Sequence, residues 1–179
     1  MIYLCLAQGF EEIEALATVD ILRRAGLEVQ TVGIGSDTVT GSHGITVQAD
    51  VQNTALIAQN IQAVILPGGM PGMTHLLQSD TVDFLLRQGA EQGAYLCAIC
   101  ASPSVLGLKG YLKGMRATCY PGFEQNLKDA VYCSDAVVVD GKCITAKGAG
   151  VTDEFAFAIV QALTCEQLAQ KIRSEMQCQ

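Results

Sequence analysis

Tyr95-Leu96-Cys97-Ala98-Ile99-Cys100-Ala101-Ser102-Pro103-Ser104 is an apolar run that stops abruptly against residues that begin helices. The stretch Ala94–Ile99 has the length and character of a strand buried on both faces. Ser102 can cap a helix, and Pro103 suits its first turn. Cys100 therefore falls in a tight turn between strand and helix, among the small residues Ala98, Ala101 and Ser102. This is a nucleophile elbow with sulfur in place of the serine hydroxyl. A helix N-terminus beside the sulfur favours thiolate over thiol, and the turn lifts the sulfur out of the sheet. The competing reading is a buried core cysteine at a strand end.

Outward from this turn, strand-like runs alternate with helical ones. Ile2–Leu6 and Ala63–Leu66 read as strands, whereas Ile13–Ala25, Asp80–Gly89 and Phe155–Leu163 have helical periodicity. The alternation predicts parallel strands joined by helical crossovers in an α/β fold. Gly26, after Arg23, Arg24 and Ala25, marks a helix C-terminus, and Leu27–Gly33 supplies a second strand. Two hairpins are expected, one around Gly41-Ser42-His43-Gly44 and one at Asp140-Gly141, where the dipeptide suits a type I′ turn. Glu166–Met176 reads as a final polar helix.

The length of 179 residues fits one domain, 1–179. Half the residues are hydrophobic and 16% are charged, a balance suited to a large core. The formal net charge of -7 offers no basic face for a nucleic-acid backbone. Ile2–Ala7 lacks the charged start of a secretory signal, and no apolar run reaches the roughly 20 residues needed to span a bilayer. A cytoplasmic protein with no nucleic-acid or membrane partner is therefore expected. In that compartment most of the eight cysteines are expected to be free thiols rather than a disulfide framework. Cys5, Cys97, Cys133 and Cys143 read as small core hydrophobes.

Cys97 and Cys100 form a C-x-x-C, but Cys97 belongs inside the strand, so a redox pair at a helix start is disfavoured. A closed zinc site would need a second ligand pair, which the sequence lacks; no metal is expected. Leu66-Pro67-Gly68-Gly69 ends another strand in a turn whose N–H groups can approach a ligand as an oxyanion hole does, although a plain structural turn is the commoner meaning. Glu11, Glu12 and Glu14 open the first helix. The first two suit its dipole, and Glu14, if buried beside the sulfur, would have a raised pKa and could act as acid or base. His43 and His75 read as surface residues, His75 being the better candidate for a pocket edge.

Gly9-Phe10-Glu11-Glu12-Ile13-Glu14, Val19-Asp20-Ile21-Leu22-Arg23-Arg24-Ala25-Gly26, Leu66-Pro67-Gly68-Gly69 and Ala98-Ile99-Cys100-Ala101 together resemble the DJ-1/ThiJ/PfpI superfamily, above all its DJ-1 branch. The resemblance continues through Ala117-Thr118-Cys119-Tyr120-Pro121, Gly148-Ala149-Gly150 and Glu154-Phe155-Ala156. It implies a flavodoxin-like three-layer sandwich with a mostly parallel central sheet, and a homodimer. Cys100 then matches the family nucleophile, Glu14 the protonated carboxyl that hydrogen-bonds it, and Gly69 and Ala101 the backbone donors facing the sulfur or an oxyanion.

The implied activity is cofactor-independent glyoxalase or deglycase chemistry on small carbonyl substrates such as methylglyoxal. A redox sensor or stress-response chaperone using an oxidisable Cys100 is the alternative. Some members carry His where this chain has Tyr120, so a His relay there is not expected, although a phenol could position substrate. The protease-like branch has His directly after its elbow cysteine; Ala101 stands there instead, which disfavours a peptidase. No residue supports the thiazole-monophosphate or thiamine-biosynthesis label that some members bear.

Overall fold

A computed structural model describes residues 1–52 and 58–178. The chain runs β1 (Ile2–Leu6), α1 (Glu12–Arg24), β2 (Val29–Gly33), β3 (Thr38–Thr40), β4 (Thr46–Gln48), β5 (Val51–Gln52) and β6 (Ala63–Leu66). It continues through α2 (Gly72–Leu77), α3 (Asp80–Glu91), β7 (Tyr95–Ile99), α4 (Pro103–Leu108), β8 (Arg116–Ala117) and β9 (Val131–Tyr132). The last elements are β10 (Val137–Asp140), β11 (Cys143–Ala146), α5 (Thr152–Leu163) and α6 (Glu166–Glu175).

Seven strands form one sheet in the order β10-β11-β7-β6-β1-β2-β5, parallel throughout except for the β10–β11 pair. Side chains alternate across a strand, and here both sets are apolar. Ile2, Leu4 and Leu6 join one core with α1, α5 and α6, while Tyr3, Cys5 and Ala7 join a second with α2, α3 and α4. Helices thus cover both faces, giving the α/β three-layer sandwich.

α1 ends as the sequence predicts. Gly26 adopts φ 73°, its N–H donates to the Arg23 carbonyl over 3.0 Å, and the Leu27 N–H reaches the Leu22 carbonyl over 3.2 Å in a Schellman motif. The second hairpin differs from expectation. Asp140 pairs with Cys143, so Gly141-Lys142 is the two-residue loop, and of those two only Gly141 has positive φ. That is the signature of a type II′ turn, with glycine at its first central position. Cys133 also departs from expectation. It lies just past β9, half-buried, and its sulfur accepts from Arg116 Nε over 3.3 Å. No described helix is long and apolar enough to cross a membrane.

Candidate active site

The parallel register brings the carboxyl ends of β1, β6, β7 and β11 to one edge of the sheet, with Leu66 beside Ala98 and Ile99 beside Ala146. Ligands bind in α/β sheets at this edge, where chains leave strands for helices. Cys100 is the first residue beyond β7 and adopts φ 64°, a left-handed conformation that costs a non-glycine residue about 1–3 kcal/mol. It is held there from both sides. The Cys100 N–H donates to the Ala146 carbonyl over 2.9 Å, and its carbonyl accepts from the Tyr120 N–H over 2.8 Å.

Ser102 does not cap α4 as its type and position predict. Its buried hydroxyl donates to the Pro67 carbonyl over 2.6 Å, tying the cysteine elbow to the Pro67-Gly68-Gly69 turn. Across that tie, the N–H groups of Gly69 and Ala101 both point at the Cys100 sulfur. Gly69 sits at φ 90°, and a Cβ there would come within 2.4 Å of the Glu11 backbone nitrogen, so only glycine fits.

The three carboxylates that open α1 diverge. Glu11 caps the helix, accepting the Glu14 N–H over 2.8 Å. Glu12 turns to the β3–β4 hairpin. Glu14, 1% exposed, lies against the sulfur, and its Oε2 accepts the Gly68 N–H over 2.7 Å. Gly68 was not singled out as a donor at the sequence level. A Cβ on it would approach both Cys100 Cβ and Glu14 Oε2 to 2.6 Å, so the glycine is what lets acid and thiol meet. The doubled glycine is the only sequence signal for this.

Burial pushes the Glu14 carboxyl up to about 7, against the lowering effects of the Gly68 N–H and the Cys100 thiol. Burial and then the negative charge of Glu14 push the Cys100 thiol up to about 12, opposed by the Ala101 and Gly69 N–H groups. The N–H groups at the turn act in the direction expected of them, towards thiolate, but burial and a charged Glu14 outweigh them. The part of the rise that comes from Glu14 belongs to the state in which that carboxyl is charged. With Glu14 protonated that repulsion is gone and the carboxyl can donate instead, so the two groups titrate as a coupled pair. Oε2 accepts from Gly68, whereas Oε1 is a buried oxygen with no hydrogen-bond partner among the described residues. Cys97 is fully buried in the core, and burial raises its pKa well above the usual thiol value, so it forms no redox pair with Cys100 at the helix start.

A cleft of about 240 Å³ opens over the sulfur, walled by Glu11, His43, Gly69, Cys100, Ala101 and Tyr120. His43 is the histidine at this cleft. His75 instead lies on α2, its Nδ1 2.8 Å from the Gln8 carbonyl oxygen. The reversal comes from the hairpin, which folds back over α1 by means the local sequence does not reveal. Tyr120, half-exposed, leans over Gly148, where an added Cβ would meet its ring at 3.3 Å and the Cys100 sulfur at 3.8 Å.

The chain as a whole is similar to known proteins. Drosophila melanogaster dj-1beta is 35% identical over 170 residues, covering 93% of this chain and 91% of that one. The Caenorhabditis elegans glutathione-independent glyoxalase DJR-1.2 is 34% identical, covering 86% of this chain and 82% of that one. The solved structure of oxidized Toxoplasma gondii DJ-1 superposes with a TM-score of 0.94 at 32% identity, covering 98% and 97% of the two chains. The DJ-1/PfpI family model matches residues 1–162, the span that carries the sheet, the elbow and Glu14, and the chain belongs to that family.

Proposed function

We propose that this chain is a cysteine-dependent, cofactor-independent glyoxalase acting on small dicarbonyls such as methylglyoxal, with deglycation as the related reaction. The observation that carries the reading is the convergence on one sulfur of two backbone donors and a buried carboxyl of raised pKa. The similarity to a glutathione-independent glyoxalase supports the same chemistry.

In this mechanism the Cys100 sulfur adds to the aldehyde carbon, and the proton held by the Cys100–Glu14 pair passes to the aldehyde oxygen. The product is a neutral hemithioacetal facing ionised Glu14. Glu14 then removes the proton on the former aldehyde carbon and returns it to the neighbouring carbon, while the hydroxyl proton shifts to the ketone oxygen. A 2-hydroxyacyl thioester results, with Gly69 and Ala101 N–H groups stabilising oxyanions along the way. Water cleaves the thioester to lactate and regenerates the pair. Methylglyoxal plus water equals lactate, so the balance needs neither an external oxidant nor a reductant. The test is lactate formation by purified protein: wild-type turnover no greater than that of Cys100→Ser removes the reading.

Redox sensing is the second reading, favoured by the similarity to a DJ-1 structure described as oxidized. Two equivalents of peroxide would convert the Cys100 thiolate to sulfinate, which protonated Glu14 would hydrogen-bond. Mass spectrometry after mild peroxide would show Cys100 carrying two oxygens before the other thiols; oxidation spread evenly over the cysteines counts against it. Exposed Ile13, Leu16 and Ile45, at and beside α1, support a homodimer, which sedimentation would detect as twice the chain mass.

A further inference from the structure

The β3–β4 hairpin brings a second titratable side chain to the cleft wall, and backbone bonds fix it there. The Gly9 N–H donates to the Thr40 carbonyl and the Ser42 N–H to the Phe10 carbonyl, each over 2.8 Å. Glu12, 4% exposed, reaches into the hairpin tip. Its Oε1 accepts the His43 N–H over 2.7 Å and the Ile45 N–H over 3.3 Å, and its Oε2 lies 2.9 Å from His43 Nδ1. A Cβ on Gly41 would strike the Glu12 carboxyl at 2.3 Å, so the loop closes directly on that group.

The pairing fixes the chemistry of the imidazole. An ionised carboxylate only accepts, so Nδ1 keeps its proton in either charge state of the ring. Nε2 then donates only when the imidazole is protonated, and it has no partner among the described residues. Nε2 is therefore a donor at low pH and an acceptor at high pH, on a side chain that lines the cleft.

We propose that His43, oriented by Glu12, donates an Nε2–H hydrogen bond to the oxygen of the dicarbonyl carbon that Cys100 does not attack. This rests on the glyoxalase reading of Cys100 and adds a substrate contact to it. His43 touches substrate; Glu12 is a positioning residue. The groups facing the imidazole are Glu12 Oε2, Oε1 of the capping Glu11 at 3.8 Å and Ser42 Oγ at 3.2 Å, with Cys100 and Tyr120 also lining the cleft. The hydrogen bond to Glu12, and then its charge, raises the imidazole pKa and extends the donor state to higher pH. Two carboxyl groups beside one imidazole leave no surplus positive charge, so the wall suits an uncharged dicarbonyl better than a 2-oxo acid.

Proton NMR titration of the two histidines tests the geometry without turnover. Cys100 is alkylated with iodoacetate or iodoacetamide, with Cys100→Ser as control for the other thiols and His43→Gln for assignment. A carboxymethyl group on Cys100 is expected to raise the His43 pKa by about half a unit or more, and the neutral carbamidomethyl group to raise it less. In lactate assays, wild-type kcat/KM should fall as pH rises through the His43 pKa. His43→Gln should lack that limb and run roughly 10- to 100-fold lower, and Glu12→Gln should move the limb to lower pH. A His43 pKa indifferent to both adducts, or a high-pH limb that survives in His43→Gln, overturns the proposal while leaving the glyoxalase reading intact. Failure of folded protein to alkylate at Cys100 overturns both.

Discussion

Gly68 and Glu14 are fitted to each other within the Cys100 site: the glycine N–H donates to Oε2 over 2.7 Å, and its missing side chain is the space the carboxyl occupies. Gly68→Ala would force a methyl group to 2.6 Å from both Glu14 Oε2 and Cys100 Cβ. The backbone at Gly68 does not have positive φ, so the cost is steric. Overpacking of this kind costs about 1–3 kcal/mol, and at this chain length each kcal/mol lowers Tm by roughly 2–4 °C. Thermal denaturation should show that loss, and lactate formation should fall further than stability does, because acid and sulfur are pushed apart.

Most of the fold and half of the site were legible in the chain. Strand runs such as Ile2–Leu6, apolar on both alternating sets, announced a sheet covered on both faces. Cys100 was legible because an elbow is a local object: a strand, small residues and a helix start. Glu14 was marked by its place on α1. Gly68 and His43 were not legible, because their roles depend on distant partners, Glu14 being 54 residues from Gly68 and Glu12 being 31 from His43. Ser102 misled for a related reason. A serine before Pro103 satisfies the local rule for a cap, yet an unpaired carbonyl on another strand end took its hydroxyl.

That serine bond yields a prediction. Ser102→Ala would remove the 2.6 Å tie and leave the Pro67 carbonyl short of a partner in a fully buried place. An unmade hydrogen bond of this sort costs about 1–3 kcal/mol. The tie also sets the spacing between the Gly69 and Ala101 N–H groups, so kcat should fall more than KM rises. Urea denaturation and steady-state kinetics on the same preparation check the two parts.

The two glutamates on either side of Ile13 should give opposite pH dependences of stability. Glu14 titrates near 7 when folded against 4.5 as its ordinary value, so folding binds its proton more tightly. Its contribution is fully present below 4.5 and is lost as pH rises through about 7, a change of up to about 3 kcal/mol. Glu12 is the reverse. Burial opposes its ionisation, but the His43 side chain and the His43 and Ile45 N–H groups outweigh that and hold it down to about 2. Its contribution is present above 4.5 and is lost as pH falls through about 2. Denaturant midpoints across pH should therefore decline from 4.5 to 7 in wild type but not in Glu14→Gln, and the drop below 4.5 should shrink in Glu12→Gln.

Cys100 itself offers the sharpest test of the elbow, because glycine and alanine should exchange their usual ranks there. At most positions alanine is the more stabilising, since glycine gives the unfolded chain more freedom to lose, an effect of about 0.4–1 kcal/mol. At φ 64° any Cβ is crowded by its own backbone, at a cost of about 1–2 kcal/mol that glycine avoids. Both variants lose the sulfur and its contacts, so those losses cancel in the comparison. Cys100→Gly should consequently unfold at a denaturant concentration equal to or higher than Cys100→Ala, with neither forming lactate. An alanine variant clearly more stable than the glycine one would mean that the turn relaxes out of the left-handed region once the sulfur is gone. The side-chain contacts, rather than the Ala146 and Tyr120 backbone bonds, would then be what holds Cys100 in its left-handed conformation.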